Sequence, residues 1–154
     1  MIIKKYKTQL KNQIPYLISE KRYVVEDDFK VTKPSDVFDF CKNVLKTEKM
    51  AEEYSHVICF NSKGCPIGFF ELSHGTINSS FMNTREVFQK ALLIGAASIV
   101  LTHNHPSGDS AFSHQDIEVT KRIVEAGVLM SVPVNDHIIT GIGNYYSMRE
   151  MGHI

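Results

Sequence analysis

A chain of 154 residues with 17 Lys and Arg balanced against 17 Asp and Glu, and 43% hydrophobic residues, fits one compact domain with room for a short N-terminal appendage. At this size folding buries roughly two-thirds of the unfolded surface, so neither a disulfide nor a structural metal is needed to hold the core, and any metal has to be argued from function. Zero formal net charge removes the global pull of a protein that binds nucleic acid chiefly through phosphates, leaving a DNA association to a local basic patch.

No apolar stretch approaches the ~20 residues that span a bilayer, and the opening MIIKKYKTQLKNQ lacks the order of a secretion signal, so the chain reads as cytoplasmic. Residues 1–30 are mixed and polar, with β-prone pieces such as Tyr23-Val24-Val25 and no clear period, and read as an appendage to a domain over residues 31–154. Lys33-Pro34-Ser35-Asp36 opens a helical run in which Val37, Phe38, Cys41, Val44 and Leu45 form one stripe, ending near Lys46. His56 to Phe60 reads as a buried strand, Asn61-Ser62-Lys63-Gly64 as a turn, and Pro66 to Leu72 as its antiparallel return.

Asn83-Thr84 starts a helix whose apolar face is Val87, Phe88, Ala91, Leu92 and Ala96. Ser98 to Thr102 has the length and composition of a central strand, with His103 where it ends. A loop from Pro106 to Phe112 leads to a helix from Ser113 to about Ala126, closed by Gly127. Val132 to Thr140 makes a further strand, and Gly141 to Ile154 a short closing segment. This order predicts an α/β or α+β fold, a largely antiparallel mixed sheet with helices packed on it. Cys41, Cys59 and Cys65 form no C-x-x-C pair and read as free thiols. The Phe69-Phe70 pair, or an edge strand, offers a surface for self-association, and the sequence leaves the oligomeric state open.

Chemistry concentrates in the stretch from His103 to Asp116. Two histidines separated by one residue at the end of an extended segment point the same way. Asp116, in the first turn of the next helix, can swing back towards them. His103, His105 and Asp116 thereby make a three-ligand set with a fourth tetrahedral position left for water, the arrangement of a catalytic zinc site. Iron or manganese can occupy such ligands in vitro. Ser113-x-x-Asp116 before an apolar run is also a capping box, in which hydroxyl and carboxylate satisfy the open N–H groups of the helix.

The spacing H-x-H-x7-S-x2-D, with HNHPSGD at 103–109, SHGTINSS at 73–80, REVFQKAL at 85–92, DHIITG at 136–141 and YYSMRE after it, resembles the JAMM motif of MPN-domain metalloproteases. More closely, it resembles RadC-type bacterial proteins, over about residue 50 to the C-terminus. The resemblance implies the JAMM fold, a curved sheet flanked by helices with a layout related to cytidine deaminases. It further implies zinc (Zn2+) on His103, His105 and Asp116, an upstream glutamate as general base, and Ser113 as stabiliser of the tetrahedral intermediate. Glu52, Glu53 and Glu71 are the candidates for the base; Glu53 stands, as in the family, a few residues ahead of the first core strand.

Two departures stand out: no glycine hairpin of the helix-hairpin-helix type occurs in the first 50 residues, and Thr84 stands where the family commonly has proline. The expected function is zinc-dependent hydrolysis of an amide or isopeptide bond in a peptide or protein conjugate. The alternative is a non-enzymatic RadC-like module attached to DNA repair or mobile-element maintenance. Asp136-His137, His74 and His114 are further candidate polar contacts around the site, the first pair as a support that orients a zinc ligand.

Overall fold

The computed structural model describes residues 1–26, 29–75 and 82–154, so Thr76 to Ser80 of the SHGTINSS motif lie outside the described residues. Along the chain come β1 (Ile2–Lys11), β2 (Ile14–Val24), α1 (Pro34–Phe40), a π-helical turn (Cys41–Leu45), a 3-10 turn (Thr47–Lys49), β3 (Tyr54–Phe60) and β4 (Pro66–His74). They are followed by α2 (Thr84–Ile94), β5 (Ser98–Asn104), α3 (His114–Leu129), β6 (Val134–Thr140) and β7 (Tyr145–Ser147). The strands form one open sheet in the order β2-β1-β4-β3-β5-β6-β7, antiparallel except where β1 meets β4 and β5 meets β6. The fold is a mixed α/β sheet flanked by helices.

Both faces of the sheet are covered, and this explains the unbroken apolar runs of its central strands. Val57, Cys59, Phe70, Ile99 and Leu101 pack with Val87, Phe88 and Ala91 of α2 and Ile123 of α3. Their sequence neighbours Ile58, Phe60, Phe69, Val100 and Ile138 pack with Val37, Phe40, Cys41 and Leu45 on the other side. Phe69 and Phe70 are therefore buried in opposite cores, at 1% and 0% exposure, and are not the exposed pair that self-association would need. Cys41, Cys59 and Cys65 are free thiols; burial pushes the first two up to about 12.

Residues 2–24, which show no clear period in sequence, form a long hairpin that continues the sheet. Asn12 and Gln13 turn it with φ of +51° and +65°, the left-handed pair that matches strand twist. The hairpin is tied down at its base, where Ile3 is fully buried and the Tyr6 ring rests on Gly68. A Cβ at Gly68 would stand 2.6 Å from that ring. Towards the tip both faces meet solvent, so selection for alternation is missing and the strands leave little trace in the sequence.

The helix starts follow local chemistry. Asp36 accepts from the Thr32 amide, the Thr32 hydroxyl and the Lys33 amide at 2.8, 2.9 and 3.1 Å ahead of α1, and Asn83 accepts from the Arg85 amide at 3.0 Å to start α2. Several bounds differ from the sequence reading by a few residues, two of them for a visible reason. β5 runs through His103 to Asn104 because β3 and β6 both continue to pair with it there. α3 does not stop at Gly127 but runs to Leu129. Gly127 serves packing: a Cβ there would lie 2.8 Å from the Val132 carbonyl oxygen, so the glycine admits the returning chain rather than ending the helix.

Candidate metal centre

β5 is a central strand, and its C-terminal end carries the site. His103 is 1% exposed and His105 half-buried. Alternation sends both imidazoles to the same side, where the two Nε2 atoms stand 3.0 Å apart. The loop that follows folds back on His105. Gly108, at φ +85°, bends it so that the Asp109 carbonyl accepts from His105 Nδ1 at 2.9 Å. With its proton on Nδ1, a neutral His105 presents a bare lone pair at Nε2.

The two sequence readings of Asp116 divide between its two oxygens. Oδ1 lies 3.3 Å from His103 Nε2. Oδ2 accepts from the Ser113 amide at 2.7 Å and from the Ser113 hydroxyl at 2.6 Å, while Ser113 Oγ accepts from the Asp116 amide at 3.2 Å. One carboxylate thus caps α3 with one oxygen and faces the histidines with the other.

Glu53 is 6% exposed and its Oε1 lies 4.0 Å from His103 Nε2. Glu53, His103 and His105 each offer a ligand atom within 4.8 Å of the other two, a trio that differs from the His103, His105 and Asp116 set the resemblance implies. Backbone contacts fix its place. Asn104, turned away from the histidines by alternation, donates from Nδ2 to the Glu52 carbonyl at 3.0 Å and accepts the Tyr54 amide on Oδ1 at 2.8 Å. The Gly75 amide donates to the Glu53 carbonyl at 2.9 Å. The other two glutamates stand elsewhere: Glu52 is exposed, and Glu71 is held by Lys5 at 2.9 Å and His74 at 3.1 Å.

Behind the histidines lies support the sequence hints at only through His137. His103 Nδ1 is 2.8 Å from His137 Nε2, and His137 Nδ1 is 2.6 Å from Thr120 Oγ1. Burial pushes His103 down to about 4, against the pull of the Asp116 charge, and holds His137 well below its ordinary value. Both rings are neutral at pH 7. Asp136 faces the other way, accepting from Ser147 Oγ at 2.6 Å and from the amides of His137 and Arg149 at 2.7 and 3.1 Å. His114 is exposed beside Glu118 at 3.7 Å. Asn104 and Thr120 carry no signal in the sequence, because each acts on a residue that only the sheet brings near.

The donor set suits a divalent ion. Two ligands each 2.0–2.1 Å from one tetrahedral zinc lie about 3.3 Å apart, close to the 3.0 Å between the Nε2 atoms and the 3.3 Å from His103 Nε2 to Asp116 Oδ1. Glu53, His103 and His105 turn ligand atoms towards one another in a largely buried cluster, where a cation between them would offset the repulsion of their lone pairs.

A model of the RadC-like JAB domain matches residues 31–153. The chain is 40% identical over 127 residues to a UPF0758 protein of Caldanaerobacter subterraneus subsp. tengcongensis, covering 82% of this chain and 54% of the relative. It is 40% identical over 130 residues to one of Clostridium novyi (84% and 56%), and 39% identical over 135 residues to one of Bacillus cereus (86% and 58%). The chain belongs to the RadC-like JAB domain family, and it spans about half the length of the curated relatives it matches. Among the described residues no helix is long and apolar enough to cross a membrane.

Proposed function

We propose that the protein is a zinc-dependent metallohydrolase of the JAMM type, a peptidase or isopeptidase that cleaves an amide bond in a peptide or protein conjugate. The observation that carries this reading is the cluster of Glu53, His103 and His105, whose ligand atoms lie within 4.8 Å of one another, with Asp116 Oδ1 3.3 Å from His103 Nε2 beside it. Zinc in such a site polarises a carbonyl and lowers the pKa of its water to about 7. His103, His105 and Asp116 hold the metal in this scheme. Glu53, with Oε1 4.0 Å from His103 Nε2, takes the proton of the attacking water and delivers it to the leaving amine. Ser113 Oγ orients Asp116 at rest and turns to the developing oxyanion; removing one such donor from a known site costs about 2.7–4 kcal/mol of barrier. The catalytic unit is residues 31–154, to which residues 1–30 add a hairpin that extends its sheet.

The test joins metal analysis to hydrolysis. Protein purified without chelator is expected to hold near one zinc per chain, lost in His103→Ala. On a panel of peptides and isopeptide conjugates, Glu53→Gln is expected to keep the metal and lose turnover, and Ser113→Ala to lose turnover beyond its capping cost of about 1 kcal/mol in stability. No metal uptake even with zinc supplied, or full turnover in Glu53→Gln, overturns the reading.

One observation favours the second reading, a non-enzymatic module on DNA. Residues 1–25 carry Lys4, Lys5, Lys7, Lys11, Lys21 and Arg22 against Glu20 alone, a local basic patch on a protruding hairpin. Salt-dependent binding to duplex DNA that weakens when Lys11 and Lys21 are replaced by glutamine would support it, and no binding at low salt would end it.

A further inference from the structure

Thr120 is fully buried in α3, two hydrogen bonds removed from His103. Its hydroxyl has one proton, and the 2.6 Å contact from Oγ1 to the Asp116 carbonyl places that proton there, because a carbonyl only accepts. Towards His137 Nδ1, 2.6 Å away, the hydroxyl can then act only as acceptor. His137 must carry its proton on Nδ1, which leaves His137 Nε2 bare. The 2.8 Å contact to His103 Nδ1 therefore takes its proton from His103, and His103 Nε2, facing His105 and Asp116, is left as a lone pair.

We infer that Thr120 is a positioning residue for the metal centre: through His137 it fixes the His103 tautomer that leaves Nε2 free to bind an ion. The inference rests on the metal-site reading above. The chain of contacts begins at the Asp116 carbonyl and returns, through Thr120, His137 and His103, to the Asp116 carboxylate at 3.3 Å. The ligand from β5 and the ligand from α3 are thereby joined by three hydrogen bonds, and the remaining gap, a lone pair facing a carboxylate, is the one an ion would close. Without the hydroxyl, His137 is free to move its proton to Nε2. That proton would confront the one on His103 Nδ1 and drive His103 to the tautomer whose Nε2 is blocked.

The test uses the full chain and zinc alone. Thr120→Val keeps shape and removes the hydroxyl; its zinc dissociation constant, measured against a competing chelator, is expected to rise about 10- to 100-fold, the usual effect of losing a partner behind a metal ligand. Thr120→Ser is expected to restore it. Nitrogen-15 spectra of the metal-free wild type are expected to show His103 and His137 protonated on Nδ1, with His103 shifting to Nε2–H in Thr120→Val. Wild-type protein that takes up no zinc refutes the metal-site reading itself. Zinc bound by wild type and Thr120→Val alike refutes the role of Thr120 alone, and so does a His137 protonated on Nε2 in the wild type, which needs no variant to fold.

Discussion

Asn104 holds Glu53 in place by gripping the peptide groups on either side of it, donating to the Glu52 carbonyl and accepting the Tyr54 amide. The residue between the two histidines thus sets the second acidic arm of the site from the opposite side of the strand. A single side chain serves two strands at once, since Asn104 ends β5 and Tyr54 begins β3. Replacing it with leucine strips both partners from part-buried backbone groups, at about 1–3 kcal/mol for each group left unpaired. Asn104→Leu is expected to unfold at clearly lower urea, and Asn104→Asp, which keeps the acceptor for Tyr54 but not the donor to Glu52, to fall between the two. A leucine variant as stable as the wild type would show that the grip carries no weight.

Gly127 gives a prediction of opposite sign to helix propensity. Alanine in a helix interior is ordinarily better than glycine by about 1 kcal/mol. Here the added methyl would meet the Val132 carbonyl oxygen at 2.8 Å, with the Phe88 ring and Val134 at 3.4 Å. Overpacking of this kind costs about 1–3 kcal/mol, so Gly127→Ala is expected to lower the melting temperature. A rise would mean that the 132–134 segment yields.

His56 makes the fold sensitive to acid. It is 2% exposed, beside the rings of Phe69 and Tyr54, and burial pushes its imidazole from 6.5 down to about 4 although the Glu71 charge pulls it up. The unfolded chain takes a proton at this residue near pH 6.5, and the folded chain only near pH 4. Between those values the unfolded state holds one more proton, so stability drops as the pH falls, by about 1.4 kcal/mol per pH unit for this group. Urea unfolding of metal-free protein at pH 6.5, 5.5 and 4.5 is expected to show a shallower decline in His56→Phe than in the wild type. Parallel declines would place the acid sensitivity elsewhere.

From residue 33 onward the sequence was legible because each element buries a face. Of the stripe Val37, Phe38, Cys41, Val44 and Leu45 all but Phe38 join the second core, and Val57 to Phe60 and Ile99 to Leu101 divide between the two cores. The hairpin was not legible, since a strand pair wet on both faces has no reason to alternate. Gly127 misled because a glycine near a helix end serves two purposes, stopping a helix and admitting a neighbour, with the same letter. At the site, His103 and His105 announced themselves by a spacing that strand geometry turns into proximity. Thr120 and Asn104 did not, because their partners, His137 and the Glu52–Tyr54 backbone, lie 17 and about 50 positions away and meet them only once β3, β5 and β6 are side by side.

β2 is the outermost strand of the sheet, 11 residues long, with Ile14 and Val24 exposed at 67% and 86%. An edge of that length is a template on which another chain can add, the first step of aggregation. Three features of the hairpin obstruct it. Pro15 offers no amide; Glu20 is an extra residue that shifts the register between Lys5 and Tyr6 of β1; and Lys21 and Arg22 follow at once with two positive charges. A strand laid along β2 could match its hydrogen bonds on one side of Glu20 or on the other, but not across it, so this long free edge behaves as two short ones.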